Sequence, residues 1–153
     1  VTAIDEIRAA QPKKVYLLLG TNALSNLEDE ALLQYYSDFL DFLAPQLPQD
    51  TVYYLQAIPP VTKEKNDADA KYSNERIRAL NEGLAKICFA HGWHFLDLYS
   101  ALADGEKNLR GELMAGDGVH LNGQGYEVWK EYLVTHTAYS KTSPYIAGSP
   151  YIL

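Results

Sequence analysis

Apolar positions along this 153-residue chain alternate between helical spacing and short continuous runs. Ile4 and Ile7 lie behind Thr2, with Asp5 and Glu6 at the positive end of the dipole, which predicts a short capped helix over residues 2–10, closed by Pro12. Val15 to Leu19 is an unbroken apolar run, the mark of a strand buried on both faces of a parallel sheet. Ser25-Asn26-Leu27-Glu28 has the form of a capping box. Leu32, Tyr36, Phe39, Leu40 and Leu43 then share one helical stripe, ended by Pro45 and Pro48. Thr51 to Ala57 is β-branched and aromatic, a second strand that runs into Ile58-Pro59-Pro60. Residues 61–72 are polar and aperiodic, which predicts a loop and a candidate lid. A helix from Ser73 or Asn74 buries Ile77, Leu80, Leu84, Ile87 and Cys88 and stops at Gly92. Trp93 to Leu98 is the third strand, residues 99–116 a connection, and Gly123 to His136 the last helix, with Asn122 as its N-cap.

This alternation predicts an α/β fold with a doubly wound parallel sheet between two helical layers. Right-handed crossovers bring the C-terminal ends of all three strands to one edge, where open α/β sheets bind ligands. Asn22, the 59–72 segment and the loop at 117–120 converge there. Residues 1–138 form the expected domain and 139–153 an extended tail. The tail repeats Ser-Pro-Tyr-Ile at 143 and 149; its prolines exclude a helix, and Tyr145, Ile146, Tyr151 and Ile152 are expected to dock on a neighbouring surface.

Composition narrows the function. Hydrophobic residues make up 47% of the chain, enough for a folded core in one domain. A net charge of -7 with interspersed signs argues against a nucleic-acid partner. No apolar run reaches the ~20 residues that span a bilayer. No signal peptide is visible, and the compartment stays open. The one cysteine, Cys88, lies within a helical pattern and reads as a small core hydrophobe. His91, His94 and His136 have no metal-ligand spacing, so neither a metal nor a cofactor is expected.

The concentrated chemistry is in Gly116-Asp117-Gly118-Val119-His120-Leu121-Asn122-Gly123-Gln124-Gly125-Tyr126. The glycines predict a tight loop at the mouth of a helix. An acid three residues before a histidine can fix the imidazole tautomer and stabilise imidazolium as it accepts a proton, which suits hydrolysis. The plain alternative is a helix-capping loop with a surface histidine.

Asp-Gly-Val-His-Leu-Asn followed by Gly-x-Gly-Tyr resembles the last sequence block of the SGNH, or GDSL-type, hydrolases. Val15 to Leu19 followed by Gly20-Thr21-Asn22 resembles the family's strand and Gly-x-Asn block. The two blocks stand in the family's order and frame residues 15 to about 133. The resemblance implies a flavodoxin-like three-layer α/β/α fold, incomplete here on its N-terminal side. It also implies hydrolysis of a carboxylic ester by a Ser-His-Asp mechanism. His120 would be the base, Asp117 the acid that orients it and Asn22 the oxyanion-hole donor, with Gly20, Thr21 and Pro59 beside the substrate. The substrate would be a small-molecule ester: an acyl ester, an acetylated sugar or a lysophospholipid.

The family's nucleophilic serine and oxyanion-hole glycine blocks are missing. Ser25 and Ser73 read as helix caps, Ser37 falls mid-helix, and no Gly-x-Ser-x-Gly elbow is present. The serine is therefore expected outside this chain, which alone would be inactive. Val15–Leu19 would then be an uncovered apolar edge, open to self-association or to completion by a missing N-terminal segment. The position after Asn22 is Ala23, where many family members have Asp; this weakens subfamily assignment and not the chemistry. The rival reading is a non-catalytic binding domain on the same scaffold. A flavodoxin-like nucleotide or flavin binder is weaker still, because no glycine-rich phosphate loop is present.

Overall fold

A computed structural model describes residues 2–137. The expected tail, with Tyr145, Ile146, Tyr151 and Ile152, lies outside the described residues. The element order is α1 (Ala3–Ala10), β1 (Lys14–Leu17), α2 (Asp29–Leu43), β2 (Val52–Gln56), α3 (Lys63–Ala68), α4 (Asn74–Ala90), β3 (His94–Leu96), α5 (Leu98–Leu102) and α6 (Gly123–His136), with single 3-10 turns between some of them. The strands form one parallel sheet in the order β1-β2-β3, in register Tyr16 with Tyr54 and Tyr54 with His94. Three parallel strands between helices are the α/β architecture read from the alternation.

Side-chain alternation along the strands divides the core. Val15, Tyr53, Leu55 and Phe95 face the main core, with Leu32, Tyr36, Leu40 and Leu43 of α2 and Ile77, Leu80, Leu84 and Cys88 of α4. Each buried leucine contributes roughly 1.5–3 kcal/mol by leaving water. Burial pushes the Cys88 thiol up to about 12, so it acts as a small hydrophobe and not as a nucleophile. The opposite layer joins Leu98 and Leu102 of α5, Leu109 and Leu113 to Val128, Trp129 and Tyr132 of α6. Trp129 Nε1 donates to Gln56 Oε1 at 2.6 Å, which ties α6 to the central strand.

On that second face Tyr16, Tyr54 and His94 stack across the sheet, with ring centroids 4.7 and 5.3 Å apart. Burial holds the His94 imidazole below its ordinary range. A folded-state pKa below the unfolded value means that the unfolded chain binds the extra proton. The stability His94 contributes is therefore present above about pH 6.5 and lost as pH falls through it. Melting temperature is expected to drop between pH 7 and 5, and the His94→Phe variant, which keeps the stack, should show a shallower drop. Equal slopes in variant and wild type would refute this.

Four local expectations change. Ser25 is not the cap of α2: Glu28 holds the N-cap position, and the Ser25 hydroxyl turns back to the Asn22 carbonyl at 3.1 Å because Thr21–Ser25 is a 3-10 turn. Residues 61–72 are not an irregular loop. Thr62 caps α3, and the Lys63–Asp67 and Lys65–Asp69 pairs support it, so a short helix forms without an apolar stripe. The third strand is shorter than its apolar run, since Asp97 accepts from Ser100 N and starts α5 at Leu98. Residues 99–116 accordingly hold a helix and a 3-10 turn at Gly111–Leu113.

β1 lies at a sheet edge and pairs only with β2 among the described residues. Tyr16 and Leu19 there are 39% and 46% exposed.

Candidate active site

The site is built from the loops that leave the C-terminal ends of β1 and β2 and from the hairpin before α6. After β1 the chain turns at Gly20, whose φ of +110° favours glycine. A Cβ there would stand 2.9 Å from Ile58 Cδ1 and 3.1 Å from the Tyr36 hydroxyl, so the position is closed by space as well as by backbone. The Tyr36 hydroxyl donates to the Leu19 carbonyl. The next residues, Thr21–Ser25, make the 3-10 turn that carries Asn22. The Asn22 side chain is exposed and makes no hydrogen bond among the described residues, which leaves its amide free to donate.

That turn is held from outside. Arg76 on α4 donates to the carbonyls of Leu24, Leu27 and Lys71, each at 2.7 Å, and pairs with Asp29 at 2.6 Å. Lys71 Nζ donates to the Ser25 carbonyl at 2.7 Å.

After β2 the chain leaves the sheet through Ile58-Pro59-Pro60-Val61. Two buried asparagines of α4 replace a neighbouring strand. Asn81 accepts from Ile58 N at 2.8 Å and donates to Ile58 O at 3.0 Å. Asn74 accepts from Val61 N at 2.9 Å and donates to Val61 O at 2.8 Å. Seven helical residues rise about 10.5 Å, and three extended residues span about 10 Å, so the two rungs fit both ladders. The prolines between them have no N–H to satisfy. Sequence reading missed Asn74, Asn81 and Arg76. The available signal was the two asparagines on the apolar stripe of α4, beside Ile77, Leu80 and Leu84.

The hairpin before α6 closes by Ala115 N to His120 O at 2.8 Å and Asn122 N to Leu113 O at 2.8 Å. Asn122 caps α6 through Gly125 N at 3.0 Å, as its position implied. Gly118, with φ of +82°, lets the loop approach α3: a Cβ there would lie 2.9 Å from Lys65 Cβ. Its carbonyl accepts from Thr62 N at 3.0 Å.

Asp117 and His120 meet directly. Asp117 Oδ1 accepts from the backbone N–H of His120 at 2.8 Å and of Val119 at 2.9 Å. Asp117 Oδ2 is bonded to His120 Nδ1. The His120 backbone and ring bonds, with that of Val119, hold the Asp117 carboxyl well below the usual carboxylate range. The carboxylate therefore stays an acceptor for Nδ1–H, and the lone pair falls on Nε2. Both side chains are open to solvent, at 53% for Asp117 and 67% for His120. The pair can receive a proton at Nε2 and stabilise the imidazolium that results.

Asn22, Gly20, Thr21 and Pro59 lie on the adjoining loops, and none of them bonds to the pair among the described residues. No described serine bonds to His120: Ser25 turns to Asn22, and Ser73 accepts from Arg76 N as the cap of α4. His91 is bonded to Ile87 O and to Asp41 at the end of α4, away from this edge.

The chain is similar to known proteins in sequence and fold. A model of the GDSL-like lipase/acylhydrolase family matches residues 2–128. A multidomain esterase from Ruminococcus flavefaciens is 28% identical over 131 residues, 84% of this chain and 16% of the esterase. A candidate platelet activating factor from Streptococcus pneumonia superimposes with a TM-score of 0.73 at 24% identity, over 86% of this chain and 66% of that one. An acetylxylan esterase from Geobacillus stearothermophilus superimposes with a TM-score of 0.67 at 12% identity, over 92% of this chain and 69% of that one. This chain thus spans less than two thirds of the length of the first two. With that family model matching most of its length, the chain belongs to the GDSL-like lipase/acylhydrolase family.

Proposed function

We propose that this chain supplies the base, its acid partner and an oxyanion donor of a serine esterase. The observation that carries the reading is the Asp117–His120 bond, which leaves His120 Nε2 free at the C-terminal edge of the sheet. His120 Nε2 takes the proton of a serine hydroxyl as the oxygen attacks an ester carbonyl, and returns it to the leaving alkoxide. Asp117 holds the ring and stabilises its cation. Asn22 donates its amide to the tetrahedral oxyanion. Gly20, Thr21 and Pro59 border the acyl or alcohol group. The substrate is a small ester of the acyl, acetylated-sugar or lysophospholipid type; the esterase and acetylxylan esterase relatives support the ester class.

The nucleophilic serine lies outside residues 1–153, on a strand that pairs with the open edge of β1. Exposed Tyr16 and Leu19 support a partner there, either that strand or a second copy of the chain. Residues 1–138 form the domain and 139–153 an appended segment. The rival, a binding domain on the same scaffold, draws on the absence of a described serine beside His120.

A fluorophosphonate probe followed by peptide mapping separates the two. Labelling of a serine in an upstream-extended version, and of none in residues 1–153, is the expected result. Labelling of neither would overturn the enzyme reading and leave the binding domain.

A further inference from the structure

We propose that the first turn of α4 positions both halves of the site: Arg76 sets the turn that carries Asn22, and Asn74 sets the loop that carries Asp117 and His120. This rests on the esterase reading for what the two halves do, but the geometry stands apart from it.

The Asn22 turn has no strand beside it among the described residues; its internal bonds, such as Leu24 N to Gly20 O and Leu27 N to Ala23 O, set its shape, and its bonds to α4 set where it stands. The carbonyls of Leu24 and Leu27 end on the Arg76 guanidinium, which also donates to Lys71 O and Asp29. A planar fork with four of its five N–H groups engaged fixes orientation as well as distance, which a lysine cannot do.

The second path runs through backbone. Asn74 is 3% exposed and holds both backbone polar groups of Val61, while its amide also reaches Asn108 Oδ1 at 3.0 Å. Thr62, the next residue, donates its N–H to the Gly118 carbonyl at 3.0 Å. Asp117 and His120 flank that carbonyl. The Asp117–His120 bond is internal to the hairpin, so Asn74 does not make the pair; it sets where the pair stands. Placement of a base to within about 1 Å is worth up to ~100-fold in rate. Two residues on one helical turn thereby register two loops that are 98 residues apart in sequence, counted from Asn22 to His120.

The test is NMR on the chain of residues 1–153, in which no activity is required. Two near-isosteric variants are compared, Asn74→Asp, which keeps the acceptor for Val61 N and loses the donor, and Arg76→Lys, which keeps the charge and loses the fork. A crossed result is expected. Asn74→Asp abolishes the coupling across the Thr62 N–H to Gly118 carbonyl bond and shifts the His120 ring resonances, with the Asn22 side-chain amide unmoved. Arg76→Lys shifts the Asn22 amide and leaves the Thr62–Gly118 coupling intact. Lowering the pH until the carboxylate introduced by Asn74→Asp is protonated restores a donor and should restore the coupling. Variants that move both loops together, or neither, would overturn the proposal. If a variant does not fold, hydrogen exchange of the wild type decides. Thr62 N–H is expected to open together with Val61 N–H; a Thr62 amide still protected after Val61 has opened would refute the path. Failure of the esterase reading has different signatures, no serine labelled in the extended chain or activity retained in His120→Ala, and leaves this outcome unchanged.

Discussion

Replacing His120 with alanine, in an upstream-extended chain that carries the nucleophile, is expected to lower kcat for a simple acyl ester by about 10⁴–10⁶-fold. KM should change little, because the imidazole acts on the proton of the nucleophile and not on the bound ground state. Asp117→Asn keeps the shape of the loop but turns the ring partner into a group that is both donor and acceptor. It can then favour the wrong tautomer, and a loss of about 10⁴-fold is expected. The double variant should lose no more than His120→Ala alone, since the two residues act as one unit. Steady-state hydrolysis of a chromogenic acetate ester measures all three. Retention of activity within tenfold in His120→Ala would remove the histidine from the reaction and the esterase mechanism with it.

Asn81→Ala is expected to cost about 2–5 kcal/mol of folding stability, read from urea denaturation. The side chain is 2% exposed and is, among the described residues, the sole hydrogen-bonding partner of Ile58 N besides serving Ile58 O. Truncation leaves a donor and an acceptor buried without partners, at about 1–3 kcal/mol each. Few single changes reach that size, since surface substitutions fall within about ±0.5 kcal/mol. The neighbouring exposed Glu82→Ala serves as the control on the same helix. An Asn81→Ala loss no greater than the control would show that water replaces the asparagine and that the ladder to Ile58 is not structural. Against a domain stability of about 5–15 kcal/mol, the expected loss is a large share of the total.

Much of the site could be read before the fold was known, because its chemistry is local. Asp117 and His120 are three residues apart, Gly116 and Gly118 supply the left-handed backbone on either side of Asp117, and Asn122 caps the helix that follows. Gly20 announced a turn after an apolar strand in the same way. Helices α2, α4 and α6 followed from apolar period, since their burial depends on which face a residue occupies. α3 and α5 escaped that reasoning. α3 has no apolar stripe and is held by a cap and two ion pairs, and α5 begins inside what reads as a continuous strand because the Asp97 carboxylate accepts from Ser100 N.

The partners of Arg76, Asn74 and Asn81 were hidden from the sequence for a different reason. Most of those partners are backbone groups 13 to 52 residues away, and backbone groups carry no sequence signature. An arginine on a helix reads as a solvated position, and an asparagine on an apolar stripe signals burial without naming its partner, unless the chain on the other side is known. Period and local motif thus determined the α/β class, the three strands and the Asp117–His120 pair, because those depend on neighbours within about one turn or one loop. Only the tertiary structure decided how α4 holds the Asn22 turn and the Ile58–Val61 segment, and how Thr62 ties that segment to the His120 hairpin, because that is a matter of groups distant in sequence meeting in space.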